Sequence, residues 1–404
     1  MASARRTLLI ATALLAAATA TLAGQNKVPR RPTLPPGADT CDAFTYYRYG
    51  QEQLQRDPER AAAAFYWAQR LSPGSAVTYY AERIALLMED PILLREYVEA
   101  DRHTLASAEV QRIDSLQMRA LDLDPFFPEA LDGELIITYF NNSVKESLRR
   151  QGEDAGDLDI DYAVRTTIAG ADMETRAWLA FGQGNYRQAV DFFGRQERSY
   201  RKNAPLRVRR AMAFYQLGEL DSAQVELDSA LAIARRADAE KMRYAYDSKA
   251  RWVYELGRIQ EMRGRDSAAR ATYQQTLVED LSFEPAHVRL AFVALRAGDT
   301  TEAATELHRA IAIKGDEYNA RLLLGMVYGA RRATDSATAQ LTRATEIEPW
   351  VAQPHFVLAE VRQAAGDREG AAAEYRRFLA LVARSDPSLS IAQRRLSAVT
   401  APAP

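Results

Sequence analysis

The side chains that could do chemistry are few, and their spacing matches no catalytic signature. The histidines are His103, His287, His308 and His355. A zinc hydrolase would set two of them four residues apart around a glutamate, so that both imidazoles face one metal. No such H-E-x-x-H occurs. Cys41 is the only cysteine, which rules out a thiolate cluster and an intrachain disulfide. Phosphate transfer would call for a loop ending in Gly-Lys-Ser/Thr, and an acyl hydrolase for a Gly-x-Ser-x-Gly elbow; neither is present. Asp157, Asp159 and Asp161 alternate like the first ligands of a calcium loop. The positions for its turning glycine and its bidentate glutamate hold Tyr162 and Ile168 instead. With Glu153 and Asp154 beside them, these aspartates read as a solvated acidic loop, weak divalent-ion binding being the alternative. Other carboxylates adjoin arginines, as in Glu174/Arg176 and Asp367/Arg368, which reads as surface pairing. No catalytic residue, cofactor or metal is expected.

The composition excludes further classes. Over 404 residues, 47% are hydrophobic and 26% charged, an ordinary globular balance. A net charge of −2 gives no field for nucleic acid or an anionic membrane. At the N-terminus, Arg5 and Arg6 precede an uncharged, Leu/Ala-rich run that ends in small residues. This predicts a secretory signal over residues 1–23, cleaved after Ala23, and a periplasmic or secreted protein without membrane insertion. An uncleaved anchor is the alternative, since the run approaches the ~20 residues that span a bilayer. Gln25 stands where a lipoprotein signal would need cysteine, so lipidation is not expected. Residues 24–42, with Pro29, Pro32, Pro35 and Pro36, read as a linker.

The elements that would have to position any site are helices. Beyond the linker nearly every segment carries helical spacing, and no run alternates with the two-residue period of strands. The chain is predicted to be all-α, and its second half repeats. Gly264, Gly298 and Gly366 fall on a 34-residue interval, with Arg332 at the intermediate step. Ala269, Ala303, Ala337 and Ala371 share that register, as do Leu256, Leu290, Leu324 and Leu358. Further columns read Tyr273, Leu307, Leu341, Tyr375 and Gly257, Ala291, Gly325, Ala359. Upstream, Gly184 and Gly218 share the spacing. Glycine in the first helix lets two helices approach closely, and glycine in the turn takes a left-handed backbone at least cost. The organisation expected is a divergent helical region over 43–150, the acidic loop over 151–172, a repeat array over 173–386, and a capping helix with tail over 387–404. Gln393, Arg394 and Arg395 would give that cap a polar outer face.

Leu324-Gly325-x-x-Tyr328, Ala337, Leu341, Ala344 and Pro349 resemble the tetratricopeptide repeat family, in the manner of an exported bacterial member. Repeats begin near Met173, Arg207, Val253, His287, Arg321 and His355, with an insertion after Arg235. A further repeat with a shortened turn reads in Tyr46, Gly50, Ala61, Phe65, Ala68 and Pro73. The resemblance implies a right-handed superhelical solenoid of antiparallel helix pairs, whose first helices line a concave groove for peptides. Carried onto this chain, the groove positions are Trp178, Met212, Tyr215, Arg258, Phe292, Met326, Phe356 and Glu360. Arg209, Arg251, Arg289 and Asn319 stand on the same face. The Lys/Asn carboxylate clamp known in the family is missing. An aromatic, Met and Arg wall instead suits an amphipathic segment with apolar anchors and acidic character. The plainer alternative is that Trp178, Met212, Phe292 and Met326 pack between neighbouring helices, and that Trp67 and Trp252 are core.

The resulting expectation is a non-enzymatic scaffold or adaptor in the cell envelope, holding a protein or peptide partner in its groove. A membrane-anchored assembly factor or chaperone for secreted or outer-membrane clients is the first alternative. An enzyme with its site in residues 90–172 is the second, although that stretch supplies no recognised catalytic set.

Overall fold

The computed structural model describes residues 28–90, 93–94, 108–124, 126, 173–182, 184–199, 203–240 and 248–401. The expected signal segment, the acidic loop with its aspartates, and His103 lie outside the described residues. The chain divides into two compact units, Met1–Thr33 and Leu34–Pro404, and everything below concerns the second.

Among the described residues it opens with α1 (Ala43–Gln53), α2 (Pro58–Leu71), α3 (Ala76–Glu89) and α4 (Ala108–Leu123). Asp42 caps α1 by accepting the Phe44 and Thr45 backbone amides at 3.1 Å. Asp57 caps α2, whose first residue is Pro58, a position where the missing N–H costs nothing. These helices share a core of Leu54, Phe65, Tyr80, Ile84, Leu87, Ile113 and Ala120.

The array follows as pairs: α5 (Met173–Gly182) with α6 (Tyr186–Ser199), α7 (Ala204–Gln216) with α8 (Leu220–Glu240), and α9 (Ala250–Met262) with α10 (Asp266–Glu279). Then come α11 (Glu284–Arg296) with α12 (Thr300–Ile313), α13 (Tyr318–Ala330) with α14 (Thr334–Ile347), α15 (Gln353–Ala364) with α16 (Arg368–Leu381), and the closing α17 (Ser388–Thr400). The insertion after Arg235 prolongs α8 to Glu240. No strand occurs among the described residues.

The 34-residue register is a register of turns. Gly184, Gly218, Gly264, Gly298 and Gly366 all have positive φ, between 69 and 84°. Each is followed by an amide that reaches back five residues, as Asp299 N–H does to the Ala294 carbonyl at 2.9 Å. That bond ties off the last turn of the first helix. Arg332 takes the same turn with φ 56°, although its Cβ makes that conformation unfavourable.

Pairing within repeats is equally regular. A Cβ added to Gly257 would lie 2.6 Å from the Tyr273 ring, and one on Gly325 would lie 2.5 Å from Leu341 Cγ. Gly50 meets the Phe65 ring in the same way, 15 rather than 16 residues away because the turn is shorter. Ala269, Ala303, Ala337 and Ala371 are fully buried, and so are Tyr273, Leu307, Leu341 and Tyr375. A polar column accompanies them, linking the start of the first helix to the second helix 19 residues on in four repeats. It consists of Arg207–Glu226 at 3.1 Å, His287–Glu306 at 2.7 Å, Arg321–Gln340 at 3.0 Å and His355–Glu374 at 2.7 Å. The two equivalent histidines are therefore consumed within the fold. Burial pushes the Glu374 carboxyl up, but His355, Arg377 and Arg362 together hold it below the usual range.

The cap α17 buries Ala392 and Val399 and turns Gln393, Arg394 and Arg395 to solvent. Asp367 and Arg368 are not a surface pair. Asp367 caps α16 through the Gly370 amide, whereas Arg368 donates to the Val399 carbonyl of the cap at 3.0 Å. Adjacent residues leave a helix start in different directions, which sequence proximity does not reveal. Trp67 is buried, and Trp252 packs partly buried against the core of α5–α9.

Candidate partner-binding groove

The first helices of successive repeats present one face to a common cleft of about 450 Å³. From α9 come Tyr254 and Arg258; from α11 come Glu284, Val288, Arg289 and Phe292. From α13 and its cap come Glu317, Asn319, Leu322, Leu323 and Met326. The opposite wall belongs to the N-terminal helices, through Gly74, Arg119, Asp122 and Leu123. The groove is thus a space between two layers of the same chain.

Its polar groups are mostly paired. Arg119 holds Glu317 with two parallel bonds of 2.9 Å, the planar fork matching the carboxylate. Burial raises the Glu317 carboxyl, but Arg119 and Lys314 outweigh it and hold the group below the ordinary carboxylate range. Arg251 reaches Asp122 at 2.9 Å. Arg289 donates from Nε to Glu261 at 2.9 Å and lies over the Phe292 ring, 4.8 Å from its centroid. Arg296 at 2.8 Å and the Tyr273 hydroxyl at 2.6 Å complete the Glu261 site. Burial opposes its charge, yet these donors carry Glu261 below its usual range.

Of the positions expected to form the groove, the structure brings Arg258, Arg289, Phe292, Asn319 and Met326 together in the cleft. Met326 is 41% exposed, and Phe292 is half-buried beneath Arg289. Further along, Tyr215 on α7 stacks on Phe126 with centroids 4.1 Å apart and planes 17° apart. The Gln216 amide donates to the Phe126 carbonyl, and Arg258 Nη1 approaches the Leu123 carbonyl at 3.5 Å. Phe126, just beyond α4, therefore covers that end. Met212 is buried in the core of its repeat, and Arg209 is half-buried on α7. Phe356 packs on Phe378 and Tyr375 in the last repeat, with centroids at 5.1 and 6.0 Å. Glu360 is exposed and lies 4.0 Å from Arg395 of the cap. Trp178 lies on α5, its side chain outside those described.

Sequence reasoning missed Arg119, Glu284 and Glu317. Glu284 precedes Pro285 and reads simply as a helix start, while Arg119 sits in a helix with no clear repeat register. No group of three metal-ligating side chains occurs among the described residues, and no described helix is long and apolar enough to cross a membrane.

No family model matches the chain, and no curated protein matches it in sequence. Among solved structures it is similar to YrrB, described as a TPR protein with an unusual peptide-binding site. The identity is 19%, over 50% of this chain and 98% of that one, with TM-score 0.41. It is also similar to the C-terminal part of a TPR repeat-containing protein from Cytophaga hutchinsonii, at 17% identity over 56% of this chain and 94% of that one, TM-score 0.45. A third likeness, to the APC/C hetero-tetramer Cut9-Hcn1, has 13% identity over 89% of this chain and 76% of that one, TM-score 0.42. These likenesses are coarse, and the assignment stands on the chain's own register, turn geometry and helix pairing. By those criteria the chain is a solenoid of tetratricopeptide-type helix pairs.

Proposed function

We propose that the protein is an exported, non-enzymatic scaffold that holds a peptide or helical segment of a partner in the cleft between its two layers. The observation that carries this reading is the convergence of Phe292, Met326, Arg289, Arg258 and Asn319 from three successive repeats on one space. An accessible methionine and an aromatic ring topped by a guanidinium are the kinds of groups that dominate protein recognition. The ion pairs around them fix the walls of the cleft. Export rests on the basic and then apolar N-terminal segment, with cleavage after Ala23.

Replacing both Phe292 and Met326 by alanine should abolish retention of partner proteins from an envelope extract while the helical circular-dichroism signal stays intact. Retention unchanged in the variant would place binding elsewhere on the solenoid. N-terminal sequencing of the mature protein should begin at Gly24, and a start at the initiator would favour an anchored protein instead.

A further inference from the structure

Around the cleft most carboxylates already have a cationic partner. Arg119 and Lys314 hold Glu317, Arg251 holds Asp122, and Arg289 holds Glu261. Arg258 approaches the Leu123 carbonyl at 3.5 Å. Glu284, the first residue of α11, is only 7% exposed, lines the cleft, and meets no hydrogen-bond donor among the described residues. A carboxylate at the edge of a cleft with no donor beside it keeps its acceptor capacity for a ligand.

Its surroundings define what it would accept. Val288 and Phe292 lie one and two turns along the same face of α11, and Met326 lies across the cleft on α13. The charged groups that act on Glu284 are Glu317 at the start of α13, Lys314 before it, and Arg119 and Asp122 on α4. An acidic ligand group beside Glu284 would meet its carboxylate, with Glu317 and Asp122 already neutralised by Arg119, Lys314 and Arg251. A cation would meet an unpaired carboxylate and an apolar floor for its aliphatic stem.

We propose that Glu284 is the seat for a basic side chain of the bound segment, arginine or lysine, whose flanking apolar residues lie on Val288, Phe292 and Met326. This rests on the reading of the cleft as the partner site, and it replaces an acidic partner at that end with a basic one. Burial, seconded by Glu317, pushes the Glu284 carboxyl up to about 7, against Lys314 and Arg119. Near neutral pH the empty site is therefore about half protonated, and an arriving cation displaces the proton. Affinity for a basic segment should accordingly rise between pH 6 and pH 8.

The test uses fluorescein-labelled capped peptides in which leucines flank either one arginine or one citrulline, its neutral isostere. Binding to the full chain is read by fluorescence anisotropy. The arginine peptide should bind about tenfold more tightly at pH 8, the gain of one charge-assisted hydrogen bond. Glu284→Gln should erase that preference and its pH dependence while leaving the affinity of the citrulline peptide and the helical circular-dichroism signal unchanged. Equal affinity for the two peptides, or a preference that survives Glu284→Gln, overturns the proposal but leaves the groove reading standing. If neither peptide binds while the Phe292/Met326 double variant still loses its partner proteins, the seat is wrong and the groove is right. If the double variant also retains those proteins, both readings fall.

Discussion

The array α9–α16 and the N-terminal layer α1–α4 are built from similar helices, yet they are held by different forces. In the array each repeat meets the next through buried alanine, leucine and tyrosine columns, so cohesion grows with apolar area removed from water. The layer has its own apolar core, but it reaches across to the array through long charged side chains. Arg70 lies 3.1 Å from Glu348, Arg119 grips Glu317, and Asp122 receives Arg251. Among the described residues, Trp67 against Trp350, edge-to-face at 5.2 Å, and Phe126 on Tyr215 add aromatic contact. Helix pairing makes a solenoid wherever the register holds. Closing that solenoid over its own groove relies largely on ion pairs, which respond to salt and pH far more than apolar columns do.

Several substitutions would break or sharpen this contrast. Gly325→Val puts a branched side chain where Leu341 Cγ lies 2.5 Å from an ideal Cβ. It should cost about 3 kcal/mol in urea unfolding, and a loss under about 1 kcal/mol would mean that the pair adjusts freely. The array should also carry a pH signature of its own. Burial pushes the Glu255 carboxyl up to about 8, against the pull of Arg251. A carboxyl raised in the folded state contributes most below its unfolded value of 4.5, and that contribution is lost as pH climbs through 8. Wild-type stability should fall by roughly 1–3 kcal/mol between pH 5 and pH 8, and Glu255→Gln should flatten the fall. An unchanged slope in the variant would assign the titration to other groups.

Arg119→Ala leaves Glu317 with Lys314 alone and should cost about 2 kcal/mol. Hydrogen exchange should then show α3 and α4 losing protection while α13–α16 keep theirs. Equal loss in both would show the two regions to be one cooperative unit. The smallest effect is a gain. Arg332→Gly relieves the one non-glycine residue in a left-handed turn among the described residues and should stabilise by about 0.5–1 kcal/mol.

Much of the fold was legible because repetition multiplies weak signals. One glycine before a polar residue is ambiguous, but Gly264, Gly298 and Gly366 in phase with Ala269, Ala303 and Ala371 leave little freedom. Even Arg332 is placed by its neighbours in the register, and its φ of 56° matches the glycines of that column. The site was legible only in part. Phe292, Met326, Arg289, Arg258 and Asn319 share the cleft because they share a helix face, whereas Phe356 turns into the core of the last repeat. Nothing in the periodicity separates an inward ring at the end of an array from a groove ring in its middle.

The sequence by itself determined the helix pairs, their turns, the buried columns and the absence of recognised catalytic motifs, since all of these are set by residues fewer than forty positions apart. Tertiary structure alone decided that the groove has a second wall and that Glu284 faces it unpaired. Arg119 and Glu317 are separated by 198 residues, and Arg70 and Glu348 by 278. A bond over such a distance leaves no local pattern, because it depends on the accumulated rotation of every repeat between its partners.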